Sequence, residues 1–221
     1  MSLNRRLSVT DILSFIPQGF FGSLGSGMLV NFKIASLTLL FSLVIGGLLV
    51  GFSLTGGFVG KIIGFFIALI RAMPTFLVMI SLLYLLPRQI VIAGSNWTLS
   101  NVSIVVLSLL PYAVAYVFDN FLESIRQWRL GQLITALQLL PNLMRMYFIL
   151  IMSSASGAAI GVTEGVATLV RYAMRIESID QRLLLFAIGI ICFGIIMQVG
   201  FAVVNFFRAA LTSKFSKQPQ S

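Results

Sequence analysis

The chain has 221 residues, of which 58% are apolar and only 10% are charged, and its mean hydropathy is +1.03. Soluble domains carry about 25% charged residues, so this composition excludes a water-soluble globular fold. The net charge of +9 does not indicate nucleic-acid binding, because the basic residues are spread along the loops without aromatic clustering; attraction to anionic lipid headgroups explains it.

The first predicted element lies ahead of the apolar runs. Arg5 and Arg6 give the chain a basic start, but Asp11, Pro17 and several glycines interrupt any signal-peptide core. We therefore predict a short interfacial helix over 11–21.

Five apolar runs follow, and they predict an all-α membrane protein. A bilayer core needs about 20 apolar residues per helix. Lipid offers no partners to backbone groups, and a β-barrel would show short alternating segments instead of continuous runs. The predicted spans are 29–54, 62–86, 102–118, 143–162 and 183–207. The predicted divisions are an N-terminal segment at 1–27, a transmembrane domain at 28–210 and a polar cytoplasmic tail at 211–221.

Nothing in the sequence predicts catalysis. Residues 56–62, GGFVGKI, come close to a phosphate-binding loop, but they lack the Ser or Thr that binds magnesium and they follow a membrane helix instead of a strand. The chain has no histidine and a single cysteine, Cys192. We therefore predict no enzyme activity, no catalytic residue, no metal site, no cofactor and no internal disulfide.

Two acidic residues mark the end of the third span. Asp119 and Glu123 lie four residues apart, so a helix places them on one face. Arg126 and Arg129 follow closely. The spacing predicts ion pairs between these acids and these arginines.

A polar insert, QWRLGQLITAL at 127–137, separates the third and fourth spans. A short helix that projects from the membrane into a groove on a soluble partner needs apolar anchors and a small residue for close approach. Trp128 and Leu133 fit the anchors, Ala136 fits the close-packing position, and Pro141 fits the start of the next span. The alternative is an interfacial connector whose Trp128 lies at headgroup level.

The fourth span carries a row of small residues over 153–161, SSASGAAIG, with Glu164 after it. Small residues let membrane helices approach closely, so packing is one interpretation of the row. The other is a weakly polar wall for a solute. Glu164 also has two interpretations. It faces a cavity, or it is a solvated helix cap.

Five segments, in chain order, resemble import permeases of the ABC transporter superfamily, in their polar-amino-acid uptake branch. The segments are GMLVNFKIA at 27–35, the Arg-x-x-Pro of 71–74, PYAVAYVF at 111–118, Gly131-Gln132, and IGVTE at 160–164. Together they extend over residues 27–210.

The resemblance implies the type I importer fold and a subunit of an ATP-driven importer for polar amino acids or similar small solutes. It implies a multi-pass protein of the bacterial inner membrane, with the C-terminus in the cytoplasm. Its implied partners are a dimer of cytosolic ABC ATPases, a second permease, an external solute-binding protein and membrane lipid, with no nucleic acid. The implied ATPase-coupling residues are Trp128, Gly131, Gln132, Leu133, Thr135 and Ala136. The implied pathway residues are Ser153, Ser156, Gly157 and Glu164.

The chain departs from the family in its coupling loop. The family has Glu-Ala-Ala followed by a glycine, whereas this chain has Ile134-Thr135-Ala136, with Leu140 at the glycine position. The stretch 131–160 is also shorter. A heterodimer is therefore favoured over a homodimer, because a second permease with an intact loop tolerates a degenerate one. The alternatives are a membrane scaffold that has lost transport and a channel that needs no ATPase.

Overall fold

The computed structural model describes residues 16–87, 89–92 and 95–215, and most of them are helical. The elements in chain order are α1 (Phe20–Ser53), α2 (Gly57–Arg71), α3 (Thr75–Leu85), β1 (Gln89–Ile92), β2 (Ser95–Thr98), α4 (Asn101–Arg129), α5 (Leu133–Ala136), α6 (Leu139–Ser153), a 3-10 helix (Ser154–Ile160), α7 (Gly165–Ala173) and α8 (Ile179–Phe215). The two strands pair antiparallel as a small hairpin.

Within the described ranges, four helical stretches are long and apolar enough to cross a membrane, and the bent pair α2 and α3 brings the number to five if it counts as one span. The four are Phe20–Ser53, Asn101–Arg129, Leu139–Ile160 and Ile179–Phe206. This content confirms the predicted all-α membrane fold, to which the short hairpin is the one addition in the described part of the chain.

The predicted span 62–86 is two helices that meet at 92°. Pro74 causes the break, because it has no N–H to donate and disfavours helical backbone at Met73. The last turn of α2 tightens before it, with the amide of Ala72 donating to the carbonyl of Leu69 at 3.1 Å. At 11 residues, α3 is about 16 Å long, which is short against a bilayer core of about 30 Å.

The first and last helices also have other bounds than the predicted spans at 29–54 and 183–207. Of the interfacial helix predicted at 11–21, residues 11–15 lie outside the described residues, and residues 16–19 form a turn in which the amide of Phe20 donates to the carbonyl of Pro17 at 3.1 Å. Helix α1 therefore begins ahead of the predicted start at 29. At the other end, α8 continues through Phe215, into the predicted tail.

Helices α1 and α4 pack together and run in the same direction. A Cβ added to Gly46 of α1 would lie 2.8 Å from the Val117 side chain of α4, so only glycine permits this approach. Nearer their starts, Asn31 of α1 bonds to Ser154 and Asn101 of α4 bonds to Ile160, both in the 3-10 helix. The starts of α1 and α4 therefore share one end of the bundle, the far end, and their other ends share the insert end.

The predicted pairing of Asp119 with Arg126 or Arg129 is wrong. The Asp119 carboxylate accepts hydrogen bonds from Nη2 of Arg71, at 2.6 and 2.8 Å. This salt bridge joins the end of α2 to α4. Glu123, the other acid, instead accepts from the Gln127 amide on its own helix. Sequence spacing favoured a partner on the same helix, but the turn after α2 brings Arg71 closer.

Candidate functional site

Gly131, inside the insert, terminates α4, whose last residue is Arg129. The φ of Gly131 is +75°, a left-handed conformation that glycine adopts without strain. The amide of Gln132 donates to the carbonyl of Gln127, and the amide of Gly131 donates to that of Trp128, both at 2.9 Å. These two bonds form the Schellman motif that commonly terminates a helix. Gly131 therefore sets the direction in which the insert leaves α4.

Two side chains of α4 fasten the insert at its base. The Ser124 hydroxyl donates to the carbonyl of Ala136, the last residue of α5, at 2.8 Å. The Asn142 amide at the start of α6 donates to Oδ1 of Asn120 at 2.7 Å. The C-terminal side of the insert is thus pinned to α4 at Ala136, and the start of α6 is pinned to α4 at Asn142.

The coupling residues predicted from the sequence differ in how exposed they are. Trp128, with 67% of its surface exposed, and the exposed residues Gly131, Gln132 and Thr135 can meet a partner. Ala136 is buried. Leu133 lies in α5.

An apolar groove of about 310 Å³ lies between α4 and the insert. It is lined by Ser124, Ile125, Trp128, Ala136, Leu137, Leu139, Leu140 and Leu143. The exposed indole of Trp128 stands at its edge and offers both an apolar surface and an N–H donor. This arrangement suits an apolar side chain from a partner.

The row of small residues in the fourth span forms a packing seam with α4. Gly157 is buried, and a Cβ added there would lie 3.0 Å from the Val105 side chain of α4 and 3.2 Å from Cβ of Val162. The Ser156 hydroxyl donates to the carbonyl of Ser153 at 2.8 Å, a local bond that satisfies it without a solute. Ser153 and Ser156 are half-buried. The role of Ser153, Ser156 and Gly157 in a solute pathway stays a prediction.

Glu164 lies in a buried polar cluster with Asn31 and Ser154, the Glu164 cluster. The three side chains are fully buried. The Glu164 carboxylate caps α7 by accepting from the amides of Val166 and Ala167, each at 2.8 Å. These bonds place its negative charge at the positive end of the helix dipole.

Asn31 completes the Glu164 cluster. Its Nδ2 donates to Glu164 Oε2 at 3.0 Å and to Ser154 Oγ at 2.8 Å, while its Oδ1 accepts from the amide of Gly165 at 3.0 Å. The cluster therefore joins α1, the 3-10 helix and α7. Glu164 is a cap, as one interpretation predicted, but it is buried and not solvated.

Sequence reasoning missed Asn31 and Ser154 as partners of Glu164. The available signal was an asparagine inside an apolar run, because a polar side chain in a membrane span needs a partner. It also missed a second cavity, of about 580 Å³, between α1 and α7 at the far end, whose lining includes Arg171 and Arg175.

No protein-family model and no curated protein matches the chain. Its fold is similar to a solved crystal structure of an amino acid ABC transporter with histidines. The similarity covers 95% of this chain and 100% of that chain, with a TM-score of 0.68 and 16% sequence identity. At 16% sequence identity, this similarity shows the fold alone. The chain is a multi-pass membrane protein with the fold of an ABC amino-acid permease, as the sequence predicted.

Proposed function

We propose that the chain is a permease subunit of an ATP-driven importer for polar amino acids or similar small solutes. The observation that carries the proposal is the fold likeness, which covers 95% of this chain and the whole chain of an amino acid ABC transporter. In this proposal the C-terminus and the insert end face the cytoplasm of a bacterial cell, and the far end faces outward.

The insert is the proposed contact for a dimer of cytosolic ABC ATPases. Its base is pinned by Ser124 and Asn120, so displacement of the insert moves α4 and α6 together. The exposed Trp128 beside an apolar groove supplies an aromatic anchor of the kind that dominates binding energy at interfaces. ATP hydrolysis itself is assigned to these partners, and the permease subunit is proposed to have no enzyme activity, cofactor or metal of its own.

A second permease subunit and an external solute-binding protein complete the proposed assembly. Two features support the second permease. The insert lacks the acid and the glycine of the family's coupling loop, so a partner with an intact loop is favoured over a second copy. In addition, only 17% of the most apolar part of α8 is buried, which leaves a long apolar face for a subunit or for lipid tails.

A membrane scaffold without transport is the second candidate. The same loss of the acid and the glycine favours it, because a subunit that does not couple needs neither residue. The hydroxyls of Ser154 and Ser156 also donate to carbonyls of the preceding turn of the same span, those of Ile151 and Ser153, which is compatible with a packing role. A channel that works without an ATPase is the third possibility.

Purification of the tagged full chain in mild detergent, followed by identification of the proteins that accompany it, tests these candidates. The importer requires an ABC ATPase and a second permease, together with ATP-dependent uptake after reconstitution. An assembly that contains the ATPase but never supports uptake would favour the scaffold. Solute flux through this chain alone would overturn the importer in favour of the channel.

A further inference from the structure

The cavity at the far end has a strongly basic lining. It occupies about 580 Å³ between the first turns of α1 and helix α7. Arg171 and Arg175 line it together with the hydroxyl-bearing residues Ser23, Thr163 and Tyr172, and none of its described lining residues is acidic. A cavity lined by hydroxyl groups and two exposed arginines is suited to a negatively charged group.

Both arginines are held in place by neighbouring side chains. Arg171 Nη2 donates to the Thr163 hydroxyl at 3.2 Å. The Arg175 guanidinium lies 5.4 Å from the centre of the Tyr172 ring, and the Tyr172 hydroxyl is in turn hydrogen-bonded to Ser23 Oγ of α1 at 2.9 Å. These contacts reduce the conformational freedom that each guanidinium would lose on binding a ligand.

The two arginines lie close together in the chain at the end of α7. Arg171 is in the last turn of α7, and Arg175 follows two residues after the helix ends at Ala173. The salt bridge found among the described residues joins Arg71 to Asp119, so neither arginine of the cavity takes part in it. An anion bound by both arginines would gain charge-assisted hydrogen bonds.

Glycine keeps the opposite wall open. A Cβ added to Gly22 of α1 would have no heavy atom within 4 Å, so this part of the cavity is free. Gly25, one turn further along α1, has equally open surroundings but does not line the cavity. The two glycines therefore offer a matched pair of positions for a steric test.

We propose that this cavity binds an oxyanion, a carboxylate or a phosphate, between Arg171 and Arg175. The planar guanidinium fork matches the geometry of either group. One source is the carboxylate of an incoming solute, a reading that rests on the proposed import function and predicts preference for solutes with a carboxylate. The other source is the phosphate of a lipid headgroup.

Binding to the purified full chain, with the partners that accompany it, tests the site. The chain is placed in phosphatidylcholine nanodiscs and titrated with radiolabelled L-glutamate, with inorganic phosphate, and with putrescine as a probe that has no anionic group. We expect one or both anions to bind and putrescine not to bind. Arg171→Gln and Arg175→Gln should each weaken anion binding by about tenfold, the loss of one charge-assisted hydrogen bond.

Matched variants separate the site from general effects. Gly22→Leu fills the cavity and should weaken anion binding at least as much as either arginine variant. Gly25→Leu adds the same side chain outside the cavity, and Lys61→Gln removes a positive charge from α2, so both should bind as the unmodified chain does. Recovery of each variant as a single species on size exclusion shows that it is folded.

The source of the anion is resolved in nanodiscs that contain phosphatidylglycerol. If the site binds a headgroup, phosphatidylglycerol should displace the soluble anions. Native mass spectrometry should then find phosphatidylglycerol bound to the unmodified chain but not to the arginine variants. A solute site predicts unchanged L-glutamate binding. If no anion binds in a manner that depends on Arg171 and Arg175, the proposal is overturned. Association with the ATPase is measured separately, so failure of the site and failure of the importer proposal are distinguishable.

Discussion

The two ends of the bundle are built differently. At the insert end, a glycine turn and two hydrogen bonds with side chains of α4 pin a small loop beside an apolar groove, with Trp128 exposed. At the far end, the Glu164 cluster lies wholly inside the protein and ties three helices together with a charged side chain. The insert end exposes side chains that a partner can contact, whereas the hydrogen bonds of the Glu164 cluster stabilise the fold. Substitutions in the insert and in the Glu164 cluster should therefore separate binding from stability.

The largest effect is expected from removing the Glu164 carboxylate. Glu164→Ala removes one of the two acceptors of the buried Asn31 Nδ2 and the acceptor of two half-buried backbone amides of α7, at a cost of about 3 kcal/mol. Thermal unfolding in detergent should show the loss, and Glu164→Gln, which keeps one acceptor oxygen, should lose less. The control is Glu177→Ala at an exposed position. Equal stability of Glu164→Ala and this control would mean that the Glu164 cluster does not hold the far end together.

A smaller loss of stability is expected at the seam between the fourth span and α4. Gly157→Leu places a side chain against Val105, and overpacking of this kind costs about 2 kcal/mol. Gly64→Leu is the control, because Gly64 has open surroundings on α2. Recovery of the assembled complex and solute uptake should fall together for Gly157→Leu. Normal recovery with lost uptake would instead assign Gly157 to the pathway.

At the insert end, the change should affect association more than folding. Ala136→Arg puts a charge into the apolar groove, and we expect about a tenfold loss in affinity for the ATPase from its desolvation. Thr55→Arg adds the same charge at an exposed position in the turn after α1, outside the insert, and serves as the control. The measurement is co-purification of the ATPase, with thermal unfolding in parallel. If both variants retain the ATPase and transport, the insert is only a connector.

The smallest effect is expected from the salt bridge between Arg71 and Asp119. Both side chains are about half exposed, at 55% and 46%, so Asp119→Asn should change stability by about 0.5 kcal/mol or less. High salt should reduce even this difference, because exposed ion pairs are screened. A loss comparable to that of Glu164→Ala would show that the bend after α2 depends on this contact.

The sequence by itself determined the class of the fold and most of its helices. Long apolar runs require helices in lipid, and this local effect can be read from neighbouring residues. Pro74 also ends a helix by its own chemistry, but the predicted span 62–86 ran through it. The same locality explains why the insert was found, since its polar composition contrasts with the runs on either side.

Only the tertiary structure decided which polar groups meet. Asn31 and Glu164 lie 133 positions apart, and no periodicity within α1 or α7 indicates that they touch. The same holds for Arg71 with Asp119 and for the burial of Ala136. The energy of a buried polar group depends on the partner that another helix brings to it, and that partner is set by how the helices pack, not by the sequence around either group.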